Sequence, residues 1–219
     1  MADHTEKNAL RAAYKQSRMD FVSADAGACA RIDLEITERL LRSDAYRSAK
    51  TIFTYVSVGA ETDTRGLIAR AFADGKSVCV PRTSGRGDAA HMDAVPLTRE
   101  QFRAMTETDC GAFGIPEPPA AYPALARELP DLIIAPSLAV DVHGYRLGYG
   151  GGYYDRYIEG ARKAGKGRGR GASSACILII AIQRSAFVTK EALPREPHDQ
   201  RADAILTENG VIFSSSFPA

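Results

Sequence analysis

The sequence predicts an α/β protein with a largely parallel sheet that helices cover on both faces. Short apolar runs typical of buried strands alternate along the chain with segments whose apolar residues recur at helical spacing. This alternation favours parallel strands joined by helical crossovers. The chain has 219 residues, of which 45% are apolar and 25% charged. That length and balance are typical of one large globular domain, so we expect residues 1–219 to form a single unit.

The amino-terminal half begins with helices. Apolar residues form two stripes at helical spacing within the first forty-five residues: Ala9, Leu10, Ala13 and Tyr14, then Cys29, Ile32, Ile36 and Leu40. The run TIFTYVS (51–57) reads as a strand, and a helix should begin at Thr64 and end at Gly75.

Two further strands are predicted next, SVCVP (77–81) and HMDAVPL (91–97). Thr98 and Gln101 have the spacing of a capping box and predict a short helix. The proline-rich stretch 111–123 should be an extended loop, and DLIIAP (131–136) a buried strand.

The carboxyl-terminal part should complete the sheet. GKGRGRGASS (165–174) has the composition of a flexible insertion, whereas ACILIIAI (175–182) fits an interior strand buried on both faces. DAIL and VIF near the end predict a final strand or an edge hairpin. Ligands of such sheets bind beyond the carboxyl ends of the strands, where we expect Glu61, Arg82 and the glycine-rich segment described next.

The most informative segment is GYRLGYGGGYYDRYI, residues 144–158. Glycines let backbone N–H groups approach an anion closely, and the helix that follows adds the positive end of its dipole. Arg146 supplies a fork of donors that fits phosphate oxygens. Asp155 would repel a bare phosphate but suits a phosphate that carries a divalent metal. The segment therefore predicts a metal–nucleotide site, although a glycine turn that only reverses the chain is the structural alternative.

Two familiar glycine loops do not fit this segment. A P-loop ends in Gly-Lys-Ser/Thr, whereas this turn ends in Gly-Tyr-Tyr. The dinucleotide fingerprint requires a third glycine, and Tyr153 stands at that position.

The string RLGYGGGYYDRY resembles the signature of the 5-formyltetrahydrofolate cyclo-ligase family. Other segments resemble the same family in the expected order, and together they span nearly the whole chain: KNALR (7–11), YVSVGAETDT (55–64), VPR (80–82), HMDAV (91–95), GIPEP (114–118) and HDQRAD (198–203). The resemblance implies a Rossmann-like three-layer α/β/α sandwich. It also implies conversion of 5-formyltetrahydrofolate to 5,10-methenyltetrahydrofolate with ATP as co-substrate and Mg²⁺ as cofactor.

The resemblance also assigns residues to roles. Arg146 and Tyr154 would be catalytic, and Asp155 and Asp199 would bind the metal. Val56, Glu61 and Tyr153 would contact the folate. The nucleotide would be bound by a larger set: Lys7, Arg11, Arg146, Leu147, Gly148, Tyr149, Gly150, Gly151, Gly152, Tyr153 and Tyr154.

Each assignment has a structural alternative in the sequence. Lys7 and Arg11 share a helical face that could simply be solvated, and Asp155 could be a first-turn acid favoured by the helix dipole. Asp199 could be a turn residue and Glu61 a loop acid. Some relatives carry basic residues where this chain has Tyr149 and Gly151, so the cation that faces the transferred phosphoryl group is open. Arg146 is our choice.

Composition excludes other classes of protein. A net charge of +1 gives no field that would attract nucleic acid, and no apolar run is long enough to cross a membrane. The polar start argues against a signal peptide, and the four cysteines contain no C-x-x-C pair. We expect a cytoplasmic monomer with reduced thiols that binds small molecules. A non-catalytic folate-binding module is the rival interpretation, and an isomerase or acyl-CoA transferase on a related sheet is a third.

Overall fold

The computed structural model describes residues 4–85, 87–107, 115–125, 129–166 and 177–213. Its helices are α1 His4–Ala24, α2 Ala26–Arg42, α3 Asp44–Ser48, α4 Arg65–Ala73, α5 Arg99–Thr106 and α6 Tyr153–Lys166. Its strands are β1 Thr51–Thr54, β2 Ser77–Ser84, β3 His91–Leu97, β4 Leu132–Ala135, β5 Ala139–Asp141, β6 Arg146–Leu147, β7 Leu178–Ile182, β8 Val188–Thr189, β9 Ala204–Thr207 and β10 Gly210–Phe213.

The main sheet has seven strands in the order β10-β9-β7-β4-β1-β2-β3. The five inner strands are parallel, whereas β3 and β10 pair antiparallel at the two edges. The predicted edge hairpin is therefore confirmed as β9 and β10. The run ACILIIAI supplies β7, an interior strand as predicted, and β4 occupies the middle of the sheet.

Helices cover both faces of this sheet, which confirms the three-layer arrangement. Ile134 and Ile180 point to one face and pack with residues of α2, α3 and α4. Their chain neighbours Ile133 and Ile179 point to the other face and pack with Ile158 of α6. Because successive side chains of a strand alternate between faces, an uninterrupted apolar run is needed to bury both.

Several local predictions are confirmed with small differences. The run 51–57 is a strand only as far as Thr54, and Gly75 follows α4 with φ +73° as a glycine at a helix end does. Thr64 precedes α4, but its hydroxyl donates to the Tyr55 carbonyl at 2.8 Å and accepts from Ser57 N at 3.1 Å instead of capping the helix. The capping box of Thr98 and Gln101 is present.

Other predictions need correction or lie outside the described residues. Arg82 is inside strand β2, where it bonds Asp93 and the carbonyl of Tyr122, and not in a turn beyond it. Residues 115–123 of the proline-rich stretch form neither helix nor strand, and residues 111–114 lie outside the described part. In the expected insertion 165–174, α6 continues to Lys166, and the remainder is likewise outside it.

A second, three-stranded sheet in the order β6-β5-β8 was not predicted. Its strands have two or three residues each, so they show no periodicity, and only pairing with β5 defines them. The small sheet matters because β6 carries Arg146 to the carboxyl edge of the main sheet. Val140 pairs with Arg146 on one side and with Val188 on the other.

The strand order creates a crevice at that edge. The chain moves from β1 to β2 in one direction and then places β4 on the opposite side of β1. Connections therefore leave the ends of β1 and β4 in opposite directions, which opens a space between them. The turn with Glu61 follows β1, and the segment that leads to Arg146 follows β4.

The opposite, amino-terminal edge offers a stability test. Asp131 Oδ2 accepts from Lys50 N at 2.8 Å and from Thr51 N at 2.9 Å, which ties β1 to the start of β4. We expect Asp131→Ala to lower the free energy of unfolding by about 1–2 kcal/mol, because two backbone donors lose their acceptor. Urea unfolding with an unchanged slope measures this loss, and an unchanged midpoint would contradict it.

Candidate active site

The glycine turn connects β6 to α6 and has the backbone that glycine permits. Gly150 and Gly152 have φ of +103° and +65°, values that residues with a Cβ rarely adopt. A Cβ on Gly151 would lie 2.7 Å from ring atoms of Tyr153. Such a backbone lets amides approach an anion closely, and α6 begins directly after the turn, which is the arrangement expected of an anion site.

Arg146 is buried, with a side chain only 4% exposed, and it ties three segments together. Its guanidinium donates to the Pro136 carbonyl at 3.3 Å, to Asp155 Oδ1 at 3.1 Å and to the Gln200 carbonyl at 3.2 Å. Burial lowers the pKa of Arg146, and the charge of Asp155 opposes that shift. Within the described residues its Nε has no hydrogen-bond partner, which is unusual for a buried donor.

Arg146 pairs with Asp155 and not with Asp141, the aspartate nearest to it in the sequence. Asp141, the last residue of β5, is engaged elsewhere. It accepts from the backbone of His143, Tyr145 and Leu193 and from the guanidinium of Arg195.

Asp155 links α6 to the segment that precedes β9. Its Oδ1 accepts from Gln200 N at 3.0 Å in addition to Arg146. Gln200 adjoins Asp199, so the two predicted metal ligands are connected through one backbone amide.

Lys7 lies against the other predicted metal ligand. Its Nζ donates to Asp199 Oδ2 and to Glu196 Oε2, each at 2.7 Å, and the residue is only 4% exposed. Burial acts to lower the pKa of Lys7, but the bonds to Asp199 and Glu196 outweigh it and the pKa is raised. The ammonium group therefore stays charged. One ligand atom each of Glu196, His198 and Asp199 lies within 4.8 Å of the others, a spacing suited to a cation.

Arg11 reaches the glycine turn from the same helix. Its Nε donates to the Gly148 carbonyl at 3.1 Å, and its guanidinium lies next to Gly150. Leu147 is buried and packs against Leu10 and Tyr14 of α1. Helix α1 is thus docked on the turn by apolar contacts and carries two of its cations, Lys7 and Arg11, into the site.

Two of the three predicted folate residues, Val56 and Glu61, lie in the turn after β1, whereas Tyr153 is on α6. Glu61 Oε2 accepts from Val58 N at 2.9 Å, and its carboxylate also bonds the hydroxyl of Tyr149, whose side chain is otherwise exposed. Burial raises the pKa of Glu61 from its ordinary 4.5, although the bonds from Val58 and Tyr149 act against the rise. Val56 is buried in a cluster with Val80 and Val95.

The two tyrosines that open α6 have different surroundings. Tyr153 donates to the Gly85 carbonyl at 2.9 Å, which joins the glycine turn to the hairpin of β2 and β3. Tyr154 stacks on Phe53 with ring centroids 5.9 Å apart. Its hydroxyl is buried and has no partner among the described residues. Burial raises the pKa of Tyr154, so the hydroxyl remains a proton donor.

Sequence reasoning missed several residues that organise the site. Glu196 and Gln200 bind predicted site residues directly, and Arg18 and Arg184 are buried beneath the turn of Glu61. Arg18 follows Lys7 and Arg11 at helical spacing, which is the one signal that the sequence offered for it. Cys29 and Cys79 are buried free thiols, and no helix in the described residues is long and apolar enough to cross a membrane.

Comparisons with known proteins agree on one family. A model of the 5-formyltetrahydrofolate cyclo-ligase family matches residues 3–208. The 5-formyltetrahydrofolate cyclo-ligase of Mycolicibacterium smegmatis is 34% identical over 167 residues, which cover 75% of this chain and 77% of that protein. The mouse (Mus musculus) 5-formyltetrahydrofolate cyclo-ligase is 29% identical over 213 residues, 94% of this chain and 95% of that protein.

A solved structure shares the fold. Aquifex aeolicus 5,10-methenyltetrahydrofolate synthetase superposes with a TM-score of 0.71 at 24% identity, covering 97% of this chain and 95% of that chain. With the family model over nearly its whole length and enzymes of one name among its relatives, this chain belongs to the 5-formyltetrahydrofolate cyclo-ligase family, a ligase family of one-carbon folate metabolism.

Proposed function

We propose that this protein converts 5-formyltetrahydrofolate to 5,10-methenyltetrahydrofolate with ATP, and releases ADP and phosphate. The observation that carries the proposal is a pair of buried donors beside the glycine turn, Arg146 Nε and Tyr154 Oη, without protein partners in the described residues. Buried donors nearly always have a hydrogen-bond acceptor, so two donors without one point to an acceptor supplied by a ligand. The oxygens of a phosphoryl group and of a formyl group are such acceptors.

The reaction has one chemical difficulty, because a formamide is a poor electrophile and its oxygen a poor leaving group. Transfer of the γ-phosphoryl group to the formyl oxygen removes both obstacles. N10 of the folate then attacks the formyl carbon and loses its proton, and the bond from carbon to the phosphorylated oxygen breaks as phosphate leaves. Phosphoryl transfer is promoted mainly by positioning and by stabilising charge.

Arg146 and Tyr154 are the catalytic residues of this proposal. The fork of Arg146 is held by three acceptors from separate segments, so it needs little reorganisation during the reaction. The charges of both Arg146 and Glu61 act on the Tyr154 hydroxyl, which supports a role for it between the proposed nucleotide and folate sites. In our proposal Tyr154 donates to the formyl oxygen and Arg146 to the transferred phosphoryl group.

The nucleotide phosphates are held by α1 and the glycine turn. Lys7 and Arg11 bring two cations, and residues 147–154 bring backbone amides and the dipole of α6. Lys7 forms ion pairs with Asp199 and Glu196 in the structure. When a triphosphate binds with its metal cation, these ion pairs are exchanged for new ones that involve the ligands. That exchange limits the cost of keeping like charges together before ligands arrive.

Magnesium fits the oxygen donors of Asp155 and Asp199. Arg146 and Gln200 both donate to Oδ1 of Asp155, and Lys7 donates to Oδ2 of Asp199. In each carboxylate these bonds fall on one of the two oxygens. Mg²⁺ prefers such hard oxygen ligands, so these two carboxylates would hold it, and the bound ion would supply positive charge to the phosphoryl group during transfer.

Glu61 is the folate acceptor in this proposal, and Val56 and Tyr153 line the pocket. A carboxylate accepts from the N–H donors of a pterin and donates nothing, so it selects that edge of the ring.

The overall activity is tested by absorbance of the methenyl product with and without ATP, together with folate-dependent release of ADP. We also propose that the protein works as a cytoplasmic monomer, which sedimentation would test.

The first prediction concerns Arg146. We expect Arg146→Ala to lower turnover by about 10²–10³, or roughly 3–4 kcal/mol, because a preorganised donor to the transferred group is lost. Arg146→Lys should recover only part of the turnover, since a point charge does not reproduce the guanidinium fork. Turnover per folded molecule and the melting temperature are measured together.

The matched control for Arg146 is Arg162→Ala. Arg162 also pairs with an aspartate, donating to Asp203 Oδ1 at 2.7 Å, and it is more exposed. We expect the control to lose stability but keep its turnover. Normal turnover in Arg146→Ala would remove the catalytic role.

The second prediction concerns the metal. Asn at position 155 keeps an acceptor for Arg146 and Gln200, so we expect Asp155→Asn to fold. We expect the same of Asp199→Asn. In both variants the magnesium concentration for half-maximal rate should rise, on the order of tenfold or more. Asp203→Asn is the control, and an unchanged magnesium response in both test variants would exclude this metal assignment.

The third prediction uses the raised pKa of Glu61. The pKa of Glu61 is higher in the folded protein than its ordinary 4.5. The folded state therefore loses stability as pH rises from 4.5 through the raised pKa, and at neutral pH the charge of Glu61 costs stability. We therefore expect Glu61→Gln to melt at a higher temperature at pH 7. Its folate KM should rise roughly 10- to 100-fold, as loss of hydrogen bonds worth about 1.5–3 kcal/mol to a charged acceptor implies.

The pH dependence of folate KM checks the same assignment. In the unsubstituted protein KM should rise as pH falls and Glu61 becomes protonated, and in Glu61→Gln this component should be absent. Titration of the substrate's own carboxylates is common to both proteins and cancels in the comparison. Equal pH profiles would contradict the role of Glu61.

A further inference from the structure

Two buried arginines donate hydrogen bonds to the short turn that carries Glu61. We propose that Arg18 and Arg184 are positioning residues, which hold the Glu61 carboxylate at the place where it meets the folate. This inference rests on the proposed role of Glu61, and it adds residues that neither the glycine signature nor the predicted site contains.

Arg18 lies on α1 and is only 2% exposed. Its Nε and Nη2 both donate to the Ala60 carbonyl, at 3.2 and 3.1 Å. Its Nη1 donates to the carbonyls of Ser137 and Leu138 and to Gln183 Oε1, at 2.9 to 3.0 Å. These acceptors follow β1, β4 and β7, so one guanidinium joins the carboxyl ends of three neighbouring parallel strands.

Arg184 approaches the same turn from the end of β7. It donates to the Ala60 carbonyl at 3.1 Å and to the Glu61 carbonyl at 3.0 Å. Its other bonds form a bidentate pair with Asp33 of α2, at 2.8 and 2.7 Å. Asp33 also accepts from Asp63 N at 3.0 Å, so α2 holds the far side of the turn.

The turn's own hydrogen bonds leave two of its carbonyls unrestrained. Glu61 N bonds the Val58 carbonyl at 3.2 Å and Val58 N bonds Glu61 Oε2 at 2.9 Å, but neither bond involves the carbonyl of Ala60 or Glu61. The carbonyls of Ala60 and Glu61 therefore depend on the two arginines for their position. A shift of these carbonyls moves the Glu61 side chain directly, because they belong to the same and the preceding residue.

Stability alone is a poor reason for this arrangement. Burial lowers the pKa of Arg18, and the neighbouring charge of Arg184 lowers it further, so the two cations repel each other within the protein. Of the described acidic groups, Asp33 is the one that forms an ion pair with either of them. Buried like charges with a single counterion are costly, whereas apolar side chains would fill the same volume at lower cost. Fixing four backbone carbonyl groups beside the site, those of Ala60, Glu61, Ser137 and Leu138, is a function that only such donors serve.

A double-mutant cycle separates positioning from general stabilisation. Arg18→Lys and Arg184→Lys keep the charge but lose the fork, and each is combined with Glu61→Gln. If the arginines act through Glu61, each single change should raise the folate KM by roughly tenfold, less than the 10²-fold that about 1 Å of misplacement costs. The KM for ATP should change much less. In the double variants the effects should be non-additive, with a folate KM close to that of Glu61→Gln alone.

Asp131→Ala is the matched control, because Asp131 ties two backbone amides at the opposite edge of the sheet. It should lower the melting temperature and leave the folate KM unchanged. All KM values refer to folded protein, and direct binding of 5-formyltetrahydrofolate without ATP provides a second readout. Should Arg18→Lys fail to fold, Arg184→Lys carries the test, since its guanidinium bonds the Glu61 carbonyl itself.

The outcomes separate this inference from the proposed function. If Glu61→Gln raises the folate KM while both arginine variants leave it unchanged or combine additively with Glu61→Gln, the positioning role is overturned and Glu61 keeps its assignment. If Glu61→Gln leaves the folate KM unchanged, the folate contact itself is wrong and the positioning role falls with it.

Discussion

The structure depends on how the carboxyl edge of its parallel sheet satisfies backbone carbonyl groups. Chain segments that leave this edge turn sharply, and their carbonyls no longer meet a neighbouring strand. Three buried guanidinium groups, those of Arg18, Arg146 and Arg184, supply the missing donors. Each has several donors in a rigid plane, so it can bridge segments that are far apart in sequence. The turns that line the crevice between the ends of β1 and β4 are therefore fixed in position.

Charge balance follows from the same arrangement. Three buried cations have acidic partners: Arg146 pairs with Asp155, Arg184 with Asp33, and Lys7 with Asp199 and Glu196. These pairs explain how a protein of net charge +1 assembles a cationic site without strong repulsion in the free state. Two of them contain a proposed metal ligand, so binding of ligands and folding of the site use the same carboxylates. Stability and ligand affinity are coupled through these pairs for that reason.

The charge of Glu61, in contrast to the paired charges above, is poorly compensated in the free protein. Burial disfavours its charged form, and the Val58 amide, the Tyr149 hydroxyl and the charge of Arg18 compensate only in part. The carboxylate is thus better suited to a ligand with N–H donors than to the free protein. The Tyr149 hydroxyl gives Glu61 a partner that an incoming donor can replace. Tyr149 is 45% exposed, and Lys15 Nζ lies 5.7 Å from its ring centroid.

The sequence by itself determined the elements and the family. Apolar runs that bury both faces predicted β4 and β7, helical stripes predicted α1 and α2, and the glycine–tyrosine segment predicted a ligand turn before α6. These signals are local, because the spacing of side chains along a strand or helix sets which face they occupy. Tertiary structure alone decided the small sheet that carries Arg146, since strands of two or three residues form only by pairing. It also decided the partners of the charged groups: Lys7 and Asp199 are 192 residues apart, Arg184 and Asp33 151 apart. No local pattern encodes such contacts, because they arise only when packing of the core brings distant segments to one edge of the sheet.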